Sequence, residues 1–157
     1  MQAAVLEAPS KITIREILMP KLGPHELLVR VAAVGLCGTD IHIFRGEGNY
    51  NMDATGRVIP LEEQPQILGH EFCGEVAEVG SQARGFEPGD RIAVDQGHNC
   101  HSTRRASLCE YCQTGDSHQC VHYREHGITG LQGAMAEFVA VPAANAVKIT
   151  GDLTFLE

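Results

Sequence analysis

The sequence lacks tryptophan and has few other aromatic residues, with five Phe and three Tyr among 157 residues. It has no apolar run near the roughly 20 residues that cross a bilayer, and no cluster of basic residues. The net charge of −8 argues against an electrostatic footprint for nucleic acid. The amino terminus shows no basic segment followed by an apolar one, so we expect no secretory signal and a cytoplasmic location. We therefore expect neither a membrane nor a nucleic acid as partner.

A dinucleotide-binding fingerprint is also missing. No Gly-x-Gly-x-x-Gly follows a strand pattern and opens a helix, so we expect no site for NAD or NADP on this chain. The length and the 43% apolar composition are sufficient for one compact domain with its own core.

Apolar alternation and abundant turn residues predict a mainly β domain. Strand-like segments, separated by glycine-rich turns, cover residues 11–17, 27–36, 72–79, 91–94, 134–141 and 146–149. One helical turn is expected at 39–45, with Thr39 or Asp40 as its cap. Residues 49–66 are polar and irregular, which predicts a surface loop. Many short strands with such turns favour a β-barrel or a β-sandwich.

Four cysteines lie within 21 residues at the spacing Cys-x8-Cys-x2-Cys-x7-Cys, namely Cys100, Cys109, Cys112 and Cys120. Four thiolates close a tetrahedral zinc site and leave no open position for a substrate, which indicates a structural ion. Two disulfides or free buried thiols are the alternatives. Cys100 is the least certain ligand, because His98, His101 or His118 could replace it.

A second group of possible ligands is spread along the chain. Cys37 follows a predicted strand, and His70 and Glu71 precede the next one. A catalytic zinc needs about three protein ligands and one position left for water or substrate. Cys37 and His70 supply suitable donors, with Glu71 either a ligand or a group that supports one. A buried cysteine and a core histidine are the alternative interpretation.

The motifs around these residues resemble those of the zinc-containing medium-chain alcohol dehydrogenase family. Residues 69–83, Gly-His-Glu-x2-Gly-x5-Gly-x2-Ala, are similar position for position to the family's zinc signature. Residues 37–42 resemble its catalytic cysteine loop and look closest to the threonine and polyol dehydrogenase branch. The cysteine lobe and residues 89–92 and 133–138 follow in the family's order, so the resemblance covers the whole chain.

The resemblance implies a mainly β, GroES-like β-barrel with short helices at residues 1–150, carrying a structural-zinc lobe at 97–125. Residues 151–157 would begin a linker to a Rossmann domain, absent from this chain, that binds NAD or NADP. The implied activity is oxidation of a small-molecule alcohol by an oxidoreductase with two zinc ions per intact chain, the catalytic ion serving as a Lewis acid. The intact enzyme is expected to be a homo-oligomer.

The resemblance also assigns roles to three residues of the cysteine loop. Thr39 and His42 correspond to a proton relay, since a hydroxyl donates and accepts while imidazole titrates near neutral pH. Asp40 resembles the carboxylate that orients the metal-binding histidine.

Two departures from the family pattern change the expectations. Residues 101–107 look like an insertion, and residues 44–61 form a long segment expected to shape the substrate cleft or an oligomer contact. Because a further zinc ligand is expected beyond residue 157, we expect this chain to bind structural zinc well, to hold catalytic zinc weakly and to be inactive alone. The alternatives are a non-catalytic zinc-binding β-domain used for assembly, and a zinc-ribbon module with a single zinc ion.

Overall fold

The computed structural model describes residues 1–157 and consists mainly of strands. The strands are β1 Gln2–Ala8, β2 Lys11–Glu16, β3 Glu26–Gly35, β4 Gln66–Ile67, β5 Glu71–Val79, β6 Arg91–Val94, β7 Gly97–His98, β8 Arg124–Glu125, β9 Phe138–Pro142 and β10 Ala146–Lys148. The α-helices are α1 Gly38–Arg45 and α2 Glu110–Thr114, with 3-10 helices at Ser117–Gln119 and Ala143–Asn145. Neither α-helix has the length and apolar character needed to cross a membrane.

Three antiparallel sheets organise these strands. The largest has the order β10-β6-β5-β3-β9, the second β2-β1-β4, and β7 pairs with β8. The main core lies against the five-stranded sheet and is built from Leu27, Val29, Phe72, Val76, Ala83, Ile92, Ala134, Val139 and Val141. A smaller core joins α1 to the second sheet through Leu6, Ile43, Leu61, Leu68 and Ile128. The predicted mainly β fold with short helices is confirmed.

Strand β3 lies inside the five-stranded sheet, between β5 and β9. Its long apolar run suits a strand whose neighbours occupy both edges. Gly74 of β5 faces Arg30 so closely that a Cβ there would lie 2.2 Å from the Arg30 carbonyl oxygen. The close pairing of β3 and β5 therefore requires glycine at position 74.

The segment predicted as a strand at 134–141 becomes regular only at Phe138. Before that point the amides of Gly133, Ala134 and Met135 donate to the carbonyls of Ile67, Gly69 and Leu68. These bonds hold the segment that leads into His70, so the backbone there supports the candidate site rather than extending the sheet. The loop at 49–66 is irregular as predicted, but it is not a surface loop throughout, since Asn51 and Leu61 are buried.

Candidate metal centres

Helix α1 begins directly after Cys37, which is its N-terminal cap. The Cys37 amide donates a 3.0 Å hydrogen bond to Oδ2 of Asp40, one turn into the helix. The prediction that Thr39 or Asp40 is the cap is therefore wrong. A carboxylate at the third helical position satisfies the amide of the cap residue and fixes the direction in which the Cys37 thiol leaves the backbone.

Asp40 joins the two segments that carry the candidate ligands. Its side chain is 1% exposed, and its Oδ1 accepts a 3.1 Å hydrogen bond from the Gly69 amide. The same Oδ1 lies 3.4 Å from Nδ1 of His70. One buried carboxylate thus positions the residue before His70 on one side and Cys37 on the other.

Gly69 makes the turn that places His70 possible. Its φ of +92° is in the left-handed region, and a Cβ would lie 2.8 Å from Cγ1 of Val34. A side chain at position 69 would both strain the backbone and displace that neighbour. Glycine here therefore lets His70 and Glu71 enter β5 beside Cys37.

The structure brings Cys37, His70 and Glu71 together. One donor atom from each lies within 4.8 Å of the others. His70 is buried, Cys37 is half-buried and Glu71 is exposed, so the cluster is closed on one side and open on the other. Glu71 has room because the residue opposite it in the β3–β5 register is Gly35.

The donors of this cluster fit a zinc ion. Nδ1 of His70 is buried without a hydrogen bond and faces Asp40 across a distance too long for a normal one. A histidine that ligates a metal through Nε2 commonly directs its Nδ1–H to a carboxylate, and a small approach of Asp40 would complete that arrangement. Thiolate, imidazole and carboxylate are also the donor types that zinc prefers at about 2.0–2.3 Å.

A cavity of about 420 Å³ adjoins the cluster. His70 and Glu71 form part of its wall, and the other lining residues are Thr39, Tyr50, Gln96, Glu125, Ile128 and Thr129. The lining is largely polar and contains no Lys or Arg. The hydroxyl, amide and carboxylate groups of this wall can donate and accept hydrogen bonds.

The four cysteines of the lobe also converge. Their sulfur atoms lie within 4.8 Å of one another, and three of the four are buried. Sγ of Cys120 is 3.6 Å from Sγ of Cys100 and 3.8 Å from Sγ of Cys109, whereas a disulfide needs about 2.05 Å. All four are free thiols at the separations that a tetrahedral ion occupies.

Cys100 belongs to this group, while two of the histidines weighed as substitutes bond elsewhere. Nε2 of His98 lies 2.9 Å from Nε2 of His126, and Nε2 of His101 faces the Cys112 carbonyl at 3.1 Å. Burial, and to a lesser extent the charge of the neighbouring His126, lowers the pKa of His98 to about 4. Burial also lowers the pKa of His126, so both rings are neutral near pH 7. Nδ1 of His126 donates to the Gln132 carbonyl at 2.7 Å, which leaves Nε2 of His126 to accept the hydrogen bond from His98.

The lobe has almost no apolar core apart from its sulfur atoms. Its buried cluster consists of Cys100, Cys112 and Cys120, with Leu108 and Tyr123 packed partly against it. Backbone hydrogen bonds lower the pKa of Cys109, and the bond from the Cys112 amide has the largest effect. Burial raises the pKa of Cys112. A segment of this kind needs an ion to hold it together.

The profile of the alcohol dehydrogenase GroES-like domain matches residues 23–151, which is most of the chain. The chain belongs to this family. The resemblance found in the sequence is confirmed, and the mainly β fold described above is the family's GroES-like domain.

Relatives of known structure and curated relatives agree with this assignment. The chain is 34% identical to L-threonine 3-dehydrogenase of Idiomarina loihiensis over 95% of its length and 39% of the relative's. A zinc-binding dehydrogenase of Sinorhizobium meliloti 1021 bound to NADP is 38% identical, with a TM-score of 0.77, over 95% of this chain and 38% of that one. A cobalt- and zinc-bound thermostable alcohol dehydrogenase of Pyrobaculum aerophilum is 30% identical, with a TM-score of 0.79, over 98% of this chain and 42% of that one. The chain thus spans about two fifths of the length of these relatives.

In this GroES-like domain, the two candidate relay residues occupy different surroundings. Thr39 Oγ1 lies 3.8 Å from Sγ of Cys37 and lines the cavity. The His42 side chain is 61% exposed, and its Nδ1 lies 2.6 Å from Oε2 of Glu47. No hydrogen bond joins Thr39 to His42. The structure therefore places the hydroxyl at the cluster and the imidazole at the surface.

Sequence reasoning missed half of the cavity wall. Gln96, Glu125 and Thr129 come from segments with no motif, and only their position in the fold reveals them. Tyr50 lies in the stretch 44–61 that was expected to shape the cleft. Cys73 of β5 lies outside both clusters and is partly buried, and its thiol donates a 3.2 Å hydrogen bond to the Phe155 carbonyl.

Proposed function

We propose that this chain is the zinc-binding catalytic domain of an NAD(P)-dependent alcohol dehydrogenase. The observation that carries the proposal is the convergence of Cys37, His70 and Glu71 beside a polar cavity whose wall includes His70 and Glu71. An assembly module has no use for an open metal site beside a cavity. Substrates of the secondary alcohol, polyol or threonine-like class suit the hydroxyl- and carboxylate-bearing wall.

The roles of the residues follow from their positions. When bound, zinc supplies Lewis-acid activation of the substrate oxygen. Asp40 positions Cys37 and His70 so that both can bind the ion. Thr39 can accept the proton of a substrate hydroxyl in the cavity while it releases its own hydroxyl proton to a bridging water molecule. That water can pass a proton to His42, which lies beside Glu47 and can release it to solvent.

The second ion is proposed for the four-cysteine lobe, where it is structural. Four thiolates complete the coordination and leave no position for a substrate. We therefore propose two zinc ions per chain. The nicotinamide cofactor is proposed to bind in a Rossmann domain outside residues 1–150, which accords with the share of the relatives' length that this chain spans.

Cobalt spectroscopy tests the open site without requiring the cofactor. Co²⁺ replaces zinc at such sites, and its visible bands depend on the ligands it carries. Adding propan-2-ol or L-threonine to the cobalt-loaded protein is expected to shift the bands of the Cys37 cluster, because an open position accepts the alcohol oxygen.

The matched variant is Cys37→Ala, which should lose the alcohol-dependent shift and keep the bands of the four-cysteine lobe. If the wild-type spectrum does not respond to any alcohol although both sites carry cobalt, the site is closed. The alternative of a zinc-binding assembly domain would then be favoured.

A further inference from the structure

The cavity beside the Cys37 cluster has two acidic residues in its wall, Glu71 and Glu125. Glu71 belongs to the candidate metal ligands, whereas Glu125, the last residue of β8, does not. Neither metal binding nor the proton relay uses the Glu125 carboxylate. Its position in the wall of the cavity therefore calls for a different role.

The backbone of Glu125 is held firmly at this position. Glu125 lies opposite Gly97 in the β7–β8 pair, and the following amide, of His126, donates to the Gln96 carbonyl at 3.2 Å. The Glu125 amide donates a 2.8 Å hydrogen bond to Oγ1 of Thr129, which lies 3.2 Å from the Glu125 carbonyl oxygen. Gln96 and Thr129 line the same cavity, so the Glu125 side chain leaves the backbone from a fixed point of the wall.

A tyrosine fixes one oxygen of the carboxylate. The Tyr123 hydroxyl donates a 3.1 Å hydrogen bond to Oε1 of Glu125. Gly97 leaves room for the phenol, because a Cβ there would lie 2.4 Å from the Tyr123 hydroxyl oxygen. Burial, and to a lesser extent the charge of Glu125, raises the pKa of Tyr123 to about 12, so the hydroxyl keeps its proton at neutral pH. Oε1 is thus occupied, while Oε2 accepts no hydrogen bond from the chain.

No basic side chain neutralises the charge of Glu125. Its carboxylate forms no ion pair, and the neighbouring Arg124 donates instead to the Thr129 carbonyl at 2.6 Å. Glu71 differs, because zinc bound to Glu71 and the Cys37 thiolate has two positive charges that balance their two negative ones. With zinc bound, Glu125 is therefore the uncompensated charge of the cavity wall.

We propose that Glu125 selects alcohols that carry a positive charge, so that the preferred substrates are amino alcohols. The inference rests on the proposed dehydrogenase function, in which the substrate hydroxyl lies at the Cys37 cluster, and it places the substrate ammonium group at Oε2 of Glu125. An ammonium group forms a charge-assisted hydrogen bond with a carboxylate, whereas a neutral polyol offers only a hydroxyl. Because the carboxylate is already fixed, binding costs little side-chain ordering.

A purely structural role does not account for the charge of this side chain. The bond from Tyr123 uses one oxygen of Glu125, and the residue is only half-buried. The amide oxygen of a glutamine would accept the same bond. Glu125→Gln therefore removes the charge while it keeps the acceptor for Tyr123, which makes it a specific test.

Titration of the cobalt-loaded protein at pH 7 with two alcohols of similar size tests the inference. 1-Aminopropan-2-ol is protonated at this pH, since primary alkyl amines titrate at about pH 10, and propane-1,2-diol is its neutral counterpart. The visible bands of the Cys37 cluster give both dissociation constants. We expect the amino alcohol to bind about tenfold more tightly than the diol, and we expect added salt to reduce the difference.

Glu125→Gln is expected to bind the two alcohols with equal affinity. Glu78→Gln is the matched control, because it removes the same charge from an exposed residue of β5 outside the cavity wall. It should keep the tenfold preference. Circular dichroism and cobalt content check that each variant is folded and loaded.

The outcomes separate this inference from the proposed function. If both alcohols shift the bands with equal affinity in the wild type, the open metal site stands and selection by Glu125 is overturned. If neither alcohol shifts the bands, the open site fails and the inference fails with it. A preference that persists in Glu125→Gln would show that the amine binds elsewhere, such as at the ion itself, and would also overturn the inference.

Discussion

Replacing Asp40 with alanine is expected to lower the free energy of unfolding by about 2–3 kcal/mol, because the buried Gly69 amide and the partly buried Cys37 amide both lose their acceptor, at about 1–2 kcal/mol each with the buried one costing more. The affinity of the Cys37 cluster for zinc is expected to fall by about 10- to 100-fold, since His70 loses the carboxylate that orients it. Urea unfolding and competition with a chromogenic zinc chelator measure the two effects.

Asp152→Asn is the control for this variant, since Asp152 is exposed and makes no hydrogen bond or ion pair through its side chain. It should leave both quantities unchanged. If Asp40→Ala unfolds at the wild-type urea concentration and keeps the wild-type zinc affinity, then Asp40 does not join the two ligand segments in the way its contacts indicate.

Replacing Cys112 with alanine is expected to unfold the four-cysteine lobe while the barrel stays folded. The sulfur cluster is the only core of the lobe, and structural zinc sites of this type supply about 10–16 kcal/mol of folding free energy in small peptides. Hydrogen exchange should accelerate between residues 97 and 125 to nearly the rate of an unfolded chain. Exchange in β3 and β5 should change little.

Cys73→Ala is the matched control, because Cys73 is a free thiol outside both clusters. Its exchange pattern in the lobe should equal that of the wild type. Protection of the lobe in Cys112→Ala at the wild-type level would show that the lobe folds without the full set of thiolates, and would contradict a structural ion there.

The sequence predicted strands where apolar alternation or continuity is strong, as in β3, β5 and β6. It did not predict β1, because Gln2–Ala8 lacks β-branched residues apart from Val5 and does not alternate cleanly. Strands β7 and β8 have two residues each, too few for any periodicity to show. Their pairing depends on the fold around them rather than on local preference.

At the candidate site the sequence identified the donors but not their surroundings. Cys37 and His70 lie in recognisable motifs, so their convergence could be anticipated. The double role of Asp40 depends on the Gly69 amide, 29 residues away along the chain, and the partner of His42, Glu47, carries no motif. Contacts of this kind depend on how separate segments pack, which no local pattern contains.

The zinc content of the purified protein, compared with that of Cys37→Ala, tests the central claim most directly. With zinc supplied at saturation, the account predicts two ions per chain for the wild type and one for the variant, because the four-cysteine site is independent of Cys37. One ion per chain in both proteins at saturating zinc would contradict the claim that Cys37, His70 and Glu71 form a second metal site.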